Sequence, residues 1–125
     1  MSKINLHTHS KHSLDGNLDI NELVNECFAN GISYFSITDH DNCDTYLDLD
    51  LNKITNNGTL VYGMEADAII NDVTYDILCY GFELDKVSAW AKEYYGTIAS
   101  RQMKIYNKLV EICKELNLKL EDSIP

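Results

Sequence analysis

Near the start of the chain, the ten residues from His7 to Gly16 contain His7, His9, His12 and Asp15. In an extended segment side chains alternate between faces, so His7 and His9 point the same way, close enough for two imidazoles to grip one cation. A lone His-x-His is more often the polar end of a surface strand. Two further clusters change that weight. Asp39, His40 and Asp41 follow the apolar run from Ile32 to Thr38, and Glu65 stands among apolar neighbours between Leu60 and Ile70. A carboxylate there is costly unless something positive pairs with it. Histidine nitrogen combined with carboxylate oxygen suits zinc, iron or manganese better than magnesium or calcium, which favour all-oxygen shells. A carboxylate can also bridge two ions, and paired metals are a recurrent means of in-line displacement at phosphorus.

Such residues need a scaffold that brings them to one edge. Strand and helix signals alternate along the chain, which implies an α/β fold with a parallel sheet covered by helices. A strand over 4–8 leads into a polar loop through Gly16. Asp19 or Asn17 can cap a helix from about Ile20 to Asn30, in which Leu23, Val24, Cys27 and Phe28 recur at helical spacing, and Gly31 stops it. A second strand, 32–38, runs straight into Asp39. Leu47, Leu49, Leu51 and Ile54 suggest a weaker helix over about 45–56, although their spacing is mixed. A third strand, 60–70, and a fourth, 73–80, pair as a hairpin across Asn71 and Asp72, placing Asp76 in an otherwise apolar run. Residues 86–118 read as helical with an interruption near Gly96. Ile98, Ile105, Leu109 and Ile112 give that segment an apolar stripe, expected to be scaffold or docking surface. In parallel α/β folds functional residues gather at the C-terminal ends of strands. His7, His9, Asp39 and His40 fall at such ends, with Glu65 expected beside them.

With 125 residues, 45% of them hydrophobic, the chain can build one core of ordinary size. It is expected to be one domain over 1–125, with the metal motifs in 1–84 and a helical segment in 85–125. The net charge of −10 argues against nonspecific nucleic-acid binding, which depends on Lys and Arg neutralising phosphates. Cys27, Cys43, Cys79 and Cys113 show no paired spacing and are expected to be free thiols in a reducing compartment. Cys43, close to the Asp39 cluster, is expected to fill a loop rather than act as nucleophile or ligand. There is no charged leader followed by an apolar run and no apolar stretch of roughly 18 residues, so no membrane association is expected and the cytoplasm is the expected location.

Taken together, His7-Thr8-His9 with Ser13-Leu14-Asp15-Gly16, then Thr38-Asp39-His40-Asp41, then Gly63-Met64-Glu65, resemble in order and spacing the motifs of the PHP family, named for its polymerase-associated and histidinol-phosphate phosphatase members. The likeness is strong as far as Gly81. Beyond it, Arg101 on a helix, the segment from Lys108 to Ile112 and the stop at Asn117-Leu118 are similar to the stand-alone phosphoesterase branch. The resemblance implies a distorted (β/α)7 barrel carrying up to three divalent metals (Zn, Mn or Fe) at its C-terminal rim. It also implies hydrolysis of a phosphate monoester or small nucleotide-type phosphodiester through a metal-bound hydroxide. Carried over by motif, His7 and His9 hold the first metal, Glu65 bridges to a second, and Asp15 with His40 belongs to a third position. Asp39 would stand behind them and orient His40 or its neighbours through a ring N–H. Arg101 is a candidate to steady the phosphate, set against the plainer reading of a solvated charge on a helix.

The chain departs from the family pattern in two places. Many stand-alone members present a histidine from the fourth strand where Asp76 stands here, so Asp76 is either a substitute oxygen ligand or the mark of a weakened metal position. His12 is expected to face solvent. The family also supplies ligands from later strands, including a late histidine and an Asp-x-His, whereas all four histidines here lie within the first 40 residues. The expectation is therefore the N-terminal portion of the barrel, about four strands with flanking helices and no closure. Its open apolar edges would favour self-association or docking of a C-terminal part. The expected small-molecule partner is a phosphorylated substrate. The competing expectation is a non-catalytic metal-binding or assembly module that retains an ion for stability.

Overall fold

The computed structural model describes residues 2–54 and 58–119. Strand β1 (Lys3–Asn5) pairs in parallel with β2 (Ile32–Phe35), and β2 pairs in parallel with the two-residue β3 (Thr59–Leu60). Between the first two, helix α1 (Ile20–Ala29) makes the crossover. Its first turn is held by a capping box: the Asp19 carboxylate accepts from the N–H groups of Asn21 and Glu22, and the Glu22 carboxylate accepts from the Asp19 N–H at 2.9 Å. Asp19 rather than Asn17 is thus the cap. Ile20, Val24 and Cys27, one helical turn apart, are buried against Phe35, Ile37 and Met64, which form the centre of the core. Burying each of the larger side chains contributes about 2 kcal/mol.

Strands β4 (Gly63–Ile70) and β5 (Val73–Tyr80) form the expected antiparallel hairpin. Asn71 and Asp72 make its turn with φ of 52° and 62°, the pair of left-handed residues that a two-residue hairpin loop requires. The third strand is broken where one had been expected over 60–70. Leu60 ends β3, and Val61 and Tyr62 carry the chain across to the hairpin. Gly63 permits a close approach there, because a Cβ would lie 2.2 Å from Ser36 Oγ and 2.8 Å from Thr38 Cγ2.

The helix expected over 45–56 is replaced by two short 3-10 turns, Asp44–Asp48 and Leu51–Lys53; residues 55 and 56 of that expectation lie outside the described residues. The physical reason is the period. Leu47, Leu49 and Leu51 alternate with Asp48 and Asp50, so no 3.6-residue face exists, and Leu47 and Leu51 stay exposed while Thr45 and Tyr46 are buried.

After the hairpin come α2 (Leu84–Tyr95) and α3 (Ile98–Glu115), interrupted at Gly96 as expected and capped at Thr97. Asn117, with φ of 57°, stops α3. Met103, Ile105, Tyr106, Leu109 and Ile112 are exposed, and no described residue of α3 is buried. The three parallel strands and the hairpin do not close a barrel among the described residues, and the architecture is a mixed α/β partial barrel. No helix among them is long and apolar enough to cross a membrane.

Candidate metal centre

Pairing continues beyond the short strands, and this continuation positions the polar residues. The Ser36 N–H donates to the Asn5 carbonyl and the Thr38 N–H to the Thr8 carbonyl, so the chain from Leu6 to His9 runs on beside 36–38. Thr8 points inward, its hydroxyl donating to the Ser36 carbonyl at 2.8 Å. His7 and His9 therefore share the opposite face, as their i, i+2 spacing predicts. Next to them, His40 forms an isolated parallel bridge with Glu65, flanked by Glu65 N–H to the Asp39 carbonyl (3.1 Å) and Asp41 N–H to the Glu65 carbonyl (2.9 Å). The adjacency expected for Glu65 is present.

The side chains meet at the rim. Glu65 Oε2 lies 2.9 Å from His7 Nε2 and 3.2 Å from His9 Nε2, and the two imidazole nitrogens are 3.1 Å apart. Glu65 is buried, and no Lys or Arg among the described residues pairs with it. A buried carboxylate converging with two imidazole lone pairs fits a bound cation in its donor chemistry, a two-nitrogen, one-oxygen set of the kind that zinc, iron and manganese accept. Beside this trio, Asp15 lies 3.6 Å from both His9 Nδ1 and His40 Nε2. His9 and His40 stack with ring centroids 4.9 Å apart. His9 lies between the two groups, but a neutral imidazole has one lone pair. With Nε2 turned to Glu65, its Nδ1–H is left to donate toward Ser13 Oγ (3.4 Å) or Asp15, which fixes the ring.

The loop from Ser10 to Gly16 presents Asp15, and Gly16 permits it: a Cβ at Gly16 would come within 2.0 Å of the Ser10 carbonyl oxygen. Ser13 ties that loop to the second cluster, accepting from the His40 N–H at 2.8 Å.

Asp39 does not hydrogen-bond to His40. Its buried carboxylate accepts from the Ser10 N–H at 2.6 Å and the Ser10 hydroxyl at 2.5 Å, so it holds the loop that carries Asp15 rather than a ring N–H. Arg101 reaches the rim from α3, but its Nη1 donates to Asp41 at 2.6 Å and its Nη2 approaches the His40 carbonyl at 3.4 Å. Arg101, the candidate to steady a phosphate, thus stands at the cavity edge paired with Asp41 beside the His40 backbone. His12 pairs with Asp48 at 3.1 Å instead of facing solvent, and takes no part in the cluster. Cys43 is buried against Met64, and burial pushes its thiol up to about 12, in keeping with a filler.

Asp76 reaches the rim too, grouped with His40 and with Asp67. Asp67 had not been singled out from the sequence, although a signal was there: it follows Glu65 by two residues on a strand and so shares its face. Burial, the Asp41 charge and the neighbouring Asp76 push its carboxyl above the usual range. Tyr95, whose hydroxyl donates to the Asp67 carbonyl at 2.7 Å, is pushed up to about 12 by burial and then by the Asp41 and Asp67 charges.

A cavity of about 860 Å³ opens beside this rim, with Asp15, His40 and Asp67 on one side and Tyr95, Ile98 and Ile105 on another. Lys11, Arg101 and Lys104 also line it, matched in number by Asp15, Asp41 and Asp67, with Arg101 paired to Asp41.

The sequence profile of the PHP domain matches residues 5–121. No curated protein matches the chain. Among solved structures, an amidohydrolase from Chromobacterium violaceum, with bound sulfate and no metal, is similar with a TM-score of 0.63 and 24% sequence identity. The match covers 74% of this chain and 33% of that one, so the chain spans about a third of the length of that relative. At this identity the likeness speaks for the fold.

Proposed function

This chain belongs to the PHP family of metal-dependent hydrolases, and from that premise we propose that it is a metal-dependent phosphoesterase acting on a phosphate monoester or a small nucleotide-type diester. The observation that carries the reading is the convergence of His7, His9 and Glu65 within 3.2 Å of one another, with Asp15 and His40 beside them. His7, His9 and Glu65 would hold one ion, and Asp15 with His40 a neighbouring one. Bound divalent metals at such a rim polarise a phosphoryl oxygen and bring the pKa of a water toward neutrality.

The chain's own residues supply the rest. Lys11 and Lys104 attract an anionic ester to the cavity, and Tyr95, Ile98 and Ile105 give its organic portion an apolar wall. Asp39 and Ser13 keep the Ser10–Gly16 loop in register with His40. Arg101 acts as a positioning residue through Asp41.

A second reading is a non-catalytic metal-binding or assembly module, and the observation in its favour is that the chain spans 33% of its structural relative. Turnover separates the two. With zinc, manganese or iron restored to metal-free protein, hydrolysis of p-nitrophenyl phosphate or its bis-ester that disappears in Glu65→Gln supports the phosphoesterase. Metal binding without turnover of either ester supports the module.

A further inference from the structure

Helix α3 carries Ile105, Leu109, Ile112 and Leu116 at spacings of four, three and four residues, the last of them at its C-cap. These are the spacings of the d and a positions of a heptad, which fall in one seam along a helix. Ile105 is 65% exposed, Leu109 and Ile112 are each 40% exposed and Leu116 is 63% exposed, so the seam stays open among the described residues. The helix is fastened at its other end, where Arg101 meets Asp41. An open a/d seam is one half of a helix pair.

We infer that α3 pairs antiparallel with α3 of a second copy of this chain. Charge beside the seam selects both the partner and the direction. Lys108 and Glu115 occupy successive g positions, next to Ile112 and Ile105 in the seam. Packing Leu109 against Ile112 of the second copy, and Ile105 against its Leu116, brings Lys108 beside the Glu115 of that copy. By two-fold symmetry the same contact forms again with the roles exchanged. A parallel pair forms no such ion pair, because it sets Lys108 beside Cys113. In the single chain Lys108 reaches Glu111 at 3.1 Å, an exposed pair that contributes little and can be shared. The wider charge distribution agrees. In a chain of net charge −10, α3 carries Arg101, Lys104, Lys108 and Lys114 against Glu111 and Glu115, so two copies can approach there without acid meeting acid. Ile105 also lines the cavity beside the rim, and Leu116 of the second copy extends the apolar wall of that cavity.

The test is sedimentation velocity of the whole 125-residue chain over a series of concentrations, with circular dichroism of each variant to check the fold. The expected result is a species of twice the chain mass that becomes a monomer in Leu109→Glu and in Ile112→Glu. Lys108→Glu alone and Glu115→Lys alone should each weaken the dimer roughly tenfold, by setting like charges opposite each other, and the two changes together should restore it. These two positions are exposed, so the charge exchange reports on the pairing even where a glutamate in the seam disturbs the helix. A chain that is monomeric throughout the series overturns the inference. Association that survives Leu109→Glu and Ile112→Glu also overturns it and moves the contact to another apolar surface, such as Val73, Tyr75 and Ile77 on the hairpin. Single charge variants that associate as well as the unmodified chain, or a double variant that stays as weak as the single ones, overturn the antiparallel register.

Discussion

Arg101 on α3 and Asp41 beyond β2 meet through Nη1 and Oδ2 at 2.6 Å, with the Asp41 carboxylate 4% exposed and the Arg101 side chain 28% exposed. The pair fastens a helix from the last third of the chain to the backbone of His40, sixty-one residues earlier. Asp41 adopts a left-handed φ of 57°, which turns its carboxylate so that Oδ1 also accepts from the Asp67 N–H at 2.8 Å.

Removing one member of this pair leaves a buried charge without its partner. Arg101→Met is expected to destabilise the protein by about 2–3 kcal/mol, at the lower end for broken buried pairs because the arginine is partly solvated. The double variant Arg101→Met, Asp41→Asn should recover part of that loss. Urea unfolding of the four proteins in a double-mutant cycle measures the coupling, and additive losses would show that the contact does not act as a unit.

Asp39 and Ser10 offer a second test. Both are buried, and the carboxylate accepts two hydrogen bonds from one residue. Asp39→Ala should cost about 2–3 kcal/mol, because it strands a buried N–H and a buried hydroxyl. Metal affinity should fall with it, through the displaced Ser10–Gly16 loop. Asp39→Asn retains one acceptor and should fall between the two in both measurements. A variant that loses stability but keeps full metal affinity would confine Asp39 to the core.

Thiol chemistry separates the cysteines. Cys43 is 2% exposed and its thiol is pushed up to about 12 by burial and by the Asp44 and Asp39 charges, so it carries almost no thiolate at pH 8. Iodoacetamide should leave Cys43 unmodified in the folded protein while reaching the less buried Cys113. Peptide mass mapping reads this directly, and early modification of Cys43 would contradict its placement.

The α1 cap gives a pH dependence with a defined sign. The Glu22 N–H holds the Asp19 carboxyl below its usual value of 3.8. Its contribution to stability is therefore complete above the unfolded-state value of about 3.9 and is lost as pH falls through the lower value in the fold. The melting-temperature gap between metal-free wild type and Asp19→Ala should be present at pH 6 and shrink below pH 4. A gap that stays constant through that range would show that the ionised carboxylate does not stabilise the cap.

The clustering at the rim was legible in the sequence wherever a metal-capable side chain lay at a strand end or stood out against apolar neighbours, as His7, His9, His40 and Glu65 do. The hairpin, the α1 cap and the break at Gly96 were legible for the same reason, since each rests on local turn chemistry. The Asp67–Asp76 opposition depends on hairpin register, and the Arg101–Asp41 contact on how α3 packs. Neither is a local property. The region over 45–56 misled because alternating leucines were given a helical period that they do not have. Asp39 was placed behind the ligands, but its partner proved to be Ser10, a contact between loops 29 residues apart that no spacing rule reports.

Metal content per chain decides whether His7, His9 and Glu65 hold an ion. Elemental mass spectrometry of the purified 125-residue protein should find at least one equivalent of zinc, iron or manganese, and that equivalent should be lost in His7→Ala and in Glu65→Gln. A protein that holds no divalent metal, or variants that hold as much as the wild type, would contradict the assignment of His7, His9 and Glu65 as a metal centre.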